Sequence, residues 1–197
     1  RQHTRFLRQD NPRRLKCRLR RTEHGKGVVC MRQVSFDEAA ALVARQNANG
    51  GVFLCTSDGA RTNVMTIGWG GVNRFFNTAV FLAPVRASRF SDTLLKVRGA
   101  YTVSVPTSPL KQELAKAGTL SGRDGDKWTA CGLTPVPAIA VDVPIVRECG
   151  LHIECEPMGT VRQAAELLPK EVLDRWYPTL DMHTFYLGKI VQCYATD

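Results

Sequence analysis

Hydrophobic and polar residues alternate along much of the chain after residue 31, and this two-residue period predicts strands more often than helices. Apolar Leu151, Ile153 and Cys155 alternate with polar neighbours, for example, which predicts a half-buried strand there. Strands are predicted over residues 52–56, 63–69, 78–82, 101–105, 151–156 and 184–194. Turn residues between these segments keep each of them short.

Helical signals are short and scattered between the strands. Ser35 and Glu38 form a capping box, which predicts a helix that starts near residue 36. Ser91 is predicted to cap a second helix that runs to about Arg98, with Gly99 just past its end. Further helical segments are predicted over residues 108–118, 126–131 and 161–176. Strand and helix do not alternate regularly, so we expect a mainly β fold with short helices, an antiparallel barrel of six to seven strands.

The positive charge of the chain is concentrated at its N-terminus. Of the net charge of +9, residues 1–30 carry +8, from ten Lys and Arg against two acidic residues. This segment lacks helical or strand periodicity and has few apolar residues, so we expect a disordered basic tail, which translation upstream of the natural start would explain. The alternative is an arm that binds nucleic acid or an anionic membrane. We favour the tail, with one domain over residues 31–197 and no nucleic-acid or membrane partner.

The cysteines and several missing motifs narrow the chemistry. The seven cysteines include no CxxC pair and no Cys/His cluster at zinc spacing, so no metal site is expected. Their odd number indicates a reducing cytoplasm, and Cys149 and Cys155 are interpreted as buried apolar residues rather than a redox pair. No dinucleotide-binding glycine motif or nucleophile elbow is present, which argues against a Rossmann NAD domain and a serine hydrolase.

Asn63–Trp69 is an apolar segment with a few small polar side chains. Alternation places Asn63, Met65 and Trp69 on one face of the predicted strand. A flavin ring needs apolar contact on its faces and hydrogen-bond partners along its edge, which Asn63, Thr66 and backbone groups could supply. The alternative interpretation is ordinary barrel core.

Arg86–Ser91 combines guanidinium and hydroxyl groups just before a predicted helix. Its polar side chains are those of Arg86, Ser88, Arg89 and Ser91. Guanidinium groups beside a helix N-terminus favour phosphate, whereas a solvated turn with a serine cap is the alternative. A loop over residues 120–128 could bring Ser121, Gly122 and Lys127 to the same ligand, or could be a charged surface loop.

The order and spacing of these segments resemble the flavin reductase-like, FMN-binding split-barrel family, and within it the flavoredoxin branch. The resemblance extends over about residues 51–191. The matching segments are Asn63–Trp69, Arg86–Ser91, Tyr101–Pro106, Ser121–Trp128, Gly132–Thr134, Glu148–Cys149 and His183–Val191. The tail over residues 1–30 lies outside the match.

The resemblance implies a homodimer in which each FMN binds near the subunit interface. The residues implied to line the ring and ribityl chain are Asn63, Met65, Thr66 and Trp69. Those implied to hold the phosphate are Arg86, Ser88, Arg89 and Ser91, with further contacts from Ser121 and Lys127. His183 would lie near the ring or the nicotinamide, or else make only a structural hydrogen bond. No catalytic side chain is expected, because the flavin itself accepts the hydride.

Two departures from the family pattern stand out. Ser104 occupies a position where the family usually has Asn, and residues 161–182 insert a helical segment before the last strand.

We expect an oxidoreductase that takes hydride from NADH or NADPH and reduces flavin or a redox partner protein. A flavoredoxin-type electron carrier without its own nicotinamide site is the alternative. A protein of the same barrel type that has lost flavin is a third hypothesis.

Overall fold

An antiparallel sheet of eight strands forms the centre of the fold in this computed structural model, which describes residues 20–21, 28–29 and 31–196. The strands are β1 (Arg20–Arg21), β2 (Val28–Val29), β3 (Met31–Gln33), β4 (Val52–Ser57), β5 (Thr62–Ile67), β6 (Gly71–Phe75), β7 (Thr78–Arg86), β8 (Tyr101–Val105), β9 (Pro135–Val136), β10 (Ile145–Val146), β11 (Leu151–Arg162) and β12 (His183–Thr196). The helices are α1 (Phe36–Asn47), α2 (Phe90–Arg98), α3 (Lys111–Thr119), α4 (Lys127–Cys131) and α5 (Lys170–Trp176), with a 3-10 turn over Ala165–Leu167.

The strand order confirms the predicted fold class. The main sheet runs β5-β4-β8-β11-β12-β7-β6, β3 pairs with the end of β12, and every pairing is antiparallel. β9 pairs with β10, and β1 with β2, as two separate short ladders. Apart from β1 and β2, the predicted disordered tail over residues 1–30 lies outside the described residues.

β6 is a strand that the sequence pattern did not predict. It forms a hairpin with β7 around Phe76 and Asn77, whose φ angles of 50° and 57° lie in the left-handed region. Most of β6 is exposed, so the alternation that marks a half-buried strand is absent there. Two consecutive left-handed residues are typical of a tight type I′ hairpin turn. Asn77 is the sequence signal for this turn, because asparagine is favoured at such positions.

The predicted N-cap is confirmed at α1 and wrong at α2. The hydroxyl of Ser35 accepts a hydrogen bond from the amide of Glu38 at 3.2 Å, which is the predicted N-cap. At α2, Arg89 takes the N-cap position, and Ser91 lies buried within the first turn. The Ser91 hydroxyl is engaged by side chains of β4 and β5 instead, so it does not cap the helix. Gly99 ends α2 as predicted, with a φ of 72°.

β11 is buried on both sides over its first half, so the predicted half-buried strand is wrong there. Glu154 is fully buried, and its carboxylate accepts hydrogen bonds from three backbone amides of residues 139–141 at 2.6–3.2 Å. The Tyr194 hydroxyl donates a fourth bond at 2.8 Å. A buried carboxylate with this many donors is satisfied, which explains how a charged residue occupies a position covered on both faces.

Residues 163–182, which we call the β11–β12 connection, differ in part from the helix predicted over residues 161–176. β11 extends to Arg162, and helical structure is confined to a 3-10 turn and to α5. The register of Arg162 opposite Thr184 shows that the connection leaves the sheet and returns to it at the same end of the β11–β12 hairpin. This end of the hairpin also borders the residues predicted to bind FMN.

The described cysteines are all buried free thiols: Cys55, Cys131, Cys149, Cys155 and Cys193. Their burial confirms the interpretation of Cys149 and Cys155 as apolar residues. Within the described ranges, no group of three or more His, Cys, Asp and Glu side chains is close enough to hold a metal. A helix of the length and hydropathy needed to cross a membrane is also not found in that part of the chain.

Candidate functional site

Two adjoining cavities bring together all eleven residues predicted to bind a ligand. The aromatic cavity, of about 200 Å³, is lined by Met65, Thr66, Ile67, Gly68, Trp69, Pro84, Arg86, Arg89, Trp176 and His183. The polar cavity, of about 130 Å³, is lined by Asn63, Met65, Ser88, Arg89, Phe90, Ser91, Leu120, Ser121, Gly122 and Lys127. Met65 and Arg89 line both cavities, so one elongated ligand could extend from one into the other.

The wall of the polar cavity is ordered by hydrogen bonds between buried side chains. The Asn63 amide donates to the Ser91 hydroxyl at 2.9 Å, and the Thr56 hydroxyl donates to the same oxygen at 3.3 Å. Gly122 packs directly against this group, since a Cβ there would lie 2.3 Å from Oδ1 of Asn63. Residues from β4, β5, α2 and the loop before α4 are thereby fixed relative to one another.

Two cationic side chains line the polar cavity. Lys127 is buried, its Nζ donates to the carbonyl of Ala117 at 2.7 Å, and burial lowers its pKa to about 8. The nearby Arg89 guanidinium lowers that pKa further, although weakly. Among the described residues, we find no hydrogen-bond partner for the Arg89 guanidinium. Together with the serine hydroxyls, these cations form a donor set suited to an anion.

The hydroxyl of Thr66, which was predicted to contact the flavin, is taken up by another part of the protein, and the neighbouring Arg123 has a structural role. Thr66 lines the aromatic cavity, but its hydroxyl donates to the carbonyl of Leu114 at 2.6 Å and so is occupied by α3. Arg123 lines neither cavity. Its guanidinium donates to the carbonyl of Ser88 at 2.8 Å and lies over the Phe90 ring, tying the loop before α4 to the segment before α2.

The β11–β12 connection covers one side of the predicted phosphate segment. Arg86 donates from its guanidinium to the carbonyls of Trp176 and Asp181, at 2.8 and 3.4 Å. The Asp181 carboxylate accepts hydrogen bonds from both the amide and the hydroxyl of Ser88, at 3.2 and 2.5 Å. An acidic side chain of this connection therefore holds two donors that were predicted to hold a phosphate.

The aromatic cavity is formed by rings from three parts of the chain. Trp69 meets Trp176 edge to face with centroids 5.3 Å apart, and its ring lies 5.0 Å from that of His183. Trp69 and Trp176 remain 42% and 43% exposed. Burial, with a smaller contribution from Arg86, lowers the pKa of His183 to about 4, so its imidazole is neutral at neutral pH.

Sequence reasoning missed Trp176, Tyr177 and Asp181 as parts of the site. The insertion before the last strand was the available signal, but nothing in its pattern indicates which of its residues turn inward. A larger cleft, of about 500 Å³, lies beside α2 and the β11–β12 hairpin and contains none of the predicted residues. Of its two cationic side chains, Lys96 is paired with Asp92 at 2.6 Å and the other is that of Arg162.

Comparison with known proteins decides the family. The profile described as flavin reductase like domain matches residues 45–197. This chain belongs to the flavin reductase-like family. A flavoredoxin of Desulfovibrio vulgaris has the same fold, with a TM-score of 0.58 and 26% identity, over 73% of this chain and 68% of that chain. The resemblance to the flavoredoxin branch is thereby confirmed.

A further solved structure supports the fold, and one relative matches in sequence. An FMN-binding domain of a flavin reductase-like enzyme from Shewanella baltica matches with a TM-score of 0.57 and 18% identity, over 84% of this chain and 76% of that chain. An uncharacterised protein of Archaeoglobus fulgidus is 36% identical over 109 residues, which are 55% of this chain. That match spans 61% of the relative's length.

Proposed function

We propose that this protein is an FMN-binding oxidoreductase that takes hydride from NADH or NADPH and reduces free flavin or a redox partner. The observation that carries the proposal is the joined pair of cavities, one walled by aromatic rings and the other by cations and hydroxyls. FMN has a flat ring at one end and a phosphate at the other. The FMN-binding description of the Shewanella relative supports the same ligand.

The residues present fit the cofactor. For the phosphate, Arg89 and Lys127 supply positive charge and Ser121 supplies a hydroxyl donor, whereas the Ser88 hydroxyl is held by Asp181. For the ring, Trp69 and Met65 supply apolar contact on the aromatic side. The two cavities together reach the lower end of the range of about 300–1,000 Å³ that is typical of small-molecule sites.

The protein's own contribution is to bind and orient. When bound, the flavin ring supplies the hydride-accepting chemistry. Arg89 and Lys127 would anchor the phosphate end, and the buried Asn63–Ser91 pair would keep the wall of the polar cavity rigid. The two tryptophans would shield the ring from water. No side chain is assigned to proton transfer.

A flavoredoxin-type electron carrier is the second candidate, and its support is the match with the Desulfovibrio flavoredoxin. In that case reduction would come from a partner protein and not from a nicotinamide.

We propose a homodimer for either function, supported by the family and by the exposed Trp69–Trp176 pair at the mouth of the site. A cytoplasmic location is supported by the free thiols of the described cysteines.

Anaerobic spectroscopy distinguishes the two candidates. The protein is loaded with FMN, dialysed and mixed first with NADH and then with NADPH while the flavin absorbance is followed. Bleaching within seconds supports the oxidoreductase and identifies the donor. A bound flavin that stays oxidised with both donors contradicts the oxidoreductase and supports the carrier. Failure to retain any FMN contradicts both.

A further inference from the structure

The β11–β12 connection places a buried tyrosine against the histidine of the aromatic cavity. The Tyr177 hydroxyl lies 2.7 Å from Nδ1 of His183, and the two rings meet edge to face with centroids 5.6 Å apart. The backbone amide of Gln163 donates to the His183 carbonyl at 3.0 Å, which anchors the same end of the connection. Tyr177 and His183 are 3% and 8% exposed, so water competes little for the bond between them.

The chemistry of the two groups favours one direction for this bond. Burial raises the pKa of the Tyr177 hydroxyl, so the phenol keeps its proton. A phenol O–H is a stronger hydrogen-bond donor than the N–H of a neutral imidazole, so the Tyr177 hydroxyl donates to Nδ1 of His183. The Arg86 guanidinium lies 4.9 Å from the centre of the Tyr177 ring and disfavours a second positive charge on the imidazole. Since Nδ1 accepts, the imidazole proton resides on Nε2.

The two described histidines, His152 and His183, differ in whether a ring nitrogen is left for a ligand. Both ring nitrogens of His152 have partners within the core, Ser104 at 3.1 Å and Thr196 at 3.2 Å, so its imidazole has no nitrogen left for a ligand. His183 lines the aromatic cavity beside Trp69 and has its protein partner on Nδ1. Its Nε2 is therefore the nitrogen that a ligand in the cavity can meet.

We propose that Tyr177 is a positioning residue that holds His183 with its proton on Nε2, so that the aromatic cavity presents one N–H donor to an acceptor atom on the edge of a bound ring. The identity of that ring as a flavin rests on the proposed function. The donor would select for a ring edge that carries carbonyl oxygens or unprotonated nitrogens, and would disfavour an edge that carries N–H groups at that point.

The first test measures the imidazole itself and needs no flavin. The full chain has four histidines, so the protein is labelled with ¹⁵N-histidine and the His183 signals are assigned with His183→Gln. We expect a single neutral form protonated on Nε2 between pH 6 and 8. Tyr177→Phe should produce a mixture of the two neutral forms. An unchanged His183 signal in Tyr177→Phe would overturn the proposal.

A matched control and a second variant accompany this test. Tyr194→Phe also removes a buried hydroxyl, which donates to Glu154 in the core, and should leave the His183 signals unchanged. The Gln163 side chain lowers the pKa of the Tyr177 hydroxyl, so Gln163→Leu should make that hydroxyl a weaker donor and shift the His183 signals in the same direction as Tyr177→Phe, by a smaller amount. The second variant also covers the case in which Tyr177→Phe fails to fold.

The second test measures ligand binding. Tyr177→Phe should weaken the binding of riboflavin and of FMN by the same factor, about threefold to tenfold, which is the effect of one misdirected hydrogen bond. Unchanged affinity for both ligands would overturn the donor role. If wild-type protein bound neither flavin while Tyr177→Phe still changed the His183 signals, the proposed function would fail and the positioning role of Tyr177 would stand.

Discussion

The two cavities are constructed differently, although they share Met65 and Arg89. The polar cavity is built from the barrel, its adjacent helices and the loop before α4, and part of its wall is a buried, hydrogen-bonded group, the Asn63–Ser91 pair. The aromatic cavity takes Trp176 from the β11–β12 connection, and its two tryptophans are nearly half exposed. Most of the polar cavity therefore comes from the barrel and its neighbours, whereas the aromatic cavity depends in part on the connection.

Removing the shared cation should have the largest effect. Arg89→Ala should weaken FMN by about tenfold to a hundredfold, because a hydrogen bond to a charged group contributes about 1.5–3 kcal/mol, and should change riboflavin by less than threefold. Calorimetric titration with both ligands measures this. Arg45→Ala, an exposed arginine of α1, is the control. An equal loss for both ligands would place Arg89 at the ring and not at the phosphate.

Removing an aromatic ring should show no selectivity between the two flavins. Trp69→Ala should weaken FMN and riboflavin equally, by about threefold to tenfold, since aromatic contacts contribute about 0.5–1.5 kcal/mol beyond their buried area. Quenching of flavin fluorescence measures both affinities. Phe76→Ala, at an exposed hairpin tip, is the matched control. If FMN alone lost affinity, the assignment of the ring to the aromatic cavity would be wrong.

The pH dependence of binding tests the polar cavity. Lys127 has a pKa of about 8, so its positive charge is present below that pH and is lost as the pH rises through it. FMN affinity should therefore fall by about fivefold between pH 7 and 9.5, as expected for one lost charge–phosphate contact, while riboflavin affinity stays constant. In Lys127→Met this pH dependence should disappear. If FMN affinity still fell with rising pH in Lys127→Met, the assignment of the pH dependence to Lys127 would be wrong.

The smallest change in FMN affinity is expected from a substitution at Asp181, where the β11–β12 connection meets the barrel. Asp181 holds the amide and hydroxyl of Ser88 with a negative charge, so it competes with an incoming phosphate. Asp181→Asn should therefore tighten FMN by about twofold to threefold, the size of a partly exposed charge effect, and leave riboflavin unchanged. Asp174→Asn, a surface carboxylate paired with Lys170, is the control. Weaker FMN binding would show that Asp181 supports the site instead.

The sequence predicted the barrel half of the site because its signals are local. Alternation placed Asn63 and Met65 on one face of β5, and the residues before α2 follow a strand end, where a chain reversal is expected. The class of fold followed from short strands that lack regular helical crossovers. Even so, Ser91 was predicted as a cap, because a pattern along the chain does not show that Asn63, 28 residues earlier, takes up its hydroxyl.

The part of the site that the β11–β12 connection contributes could not be predicted, because it depends on contacts between distant parts of the chain. Arg86 meets the carbonyls of Trp176 and Asp181 about 90 residues later, and backbone acceptors leave no trace in the sequence. Tyr177 and His183 lie six residues apart, yet their bond requires the connection to fold back on β12. Such tertiary contacts are not encoded in a periodicity of two or 3.6 residues.

The central claim is that one FMN occupies both cavities, with its phosphate on the barrel side. The most direct measurement is a parallel titration of wild-type protein with FMN and riboflavin at pH 7. We predict one flavin per chain and affinity for FMN at least about tenfold higher than for riboflavin, as expected for a phosphate held by two cations. Equal affinities, or no binding of either ligand, would contradict the claim.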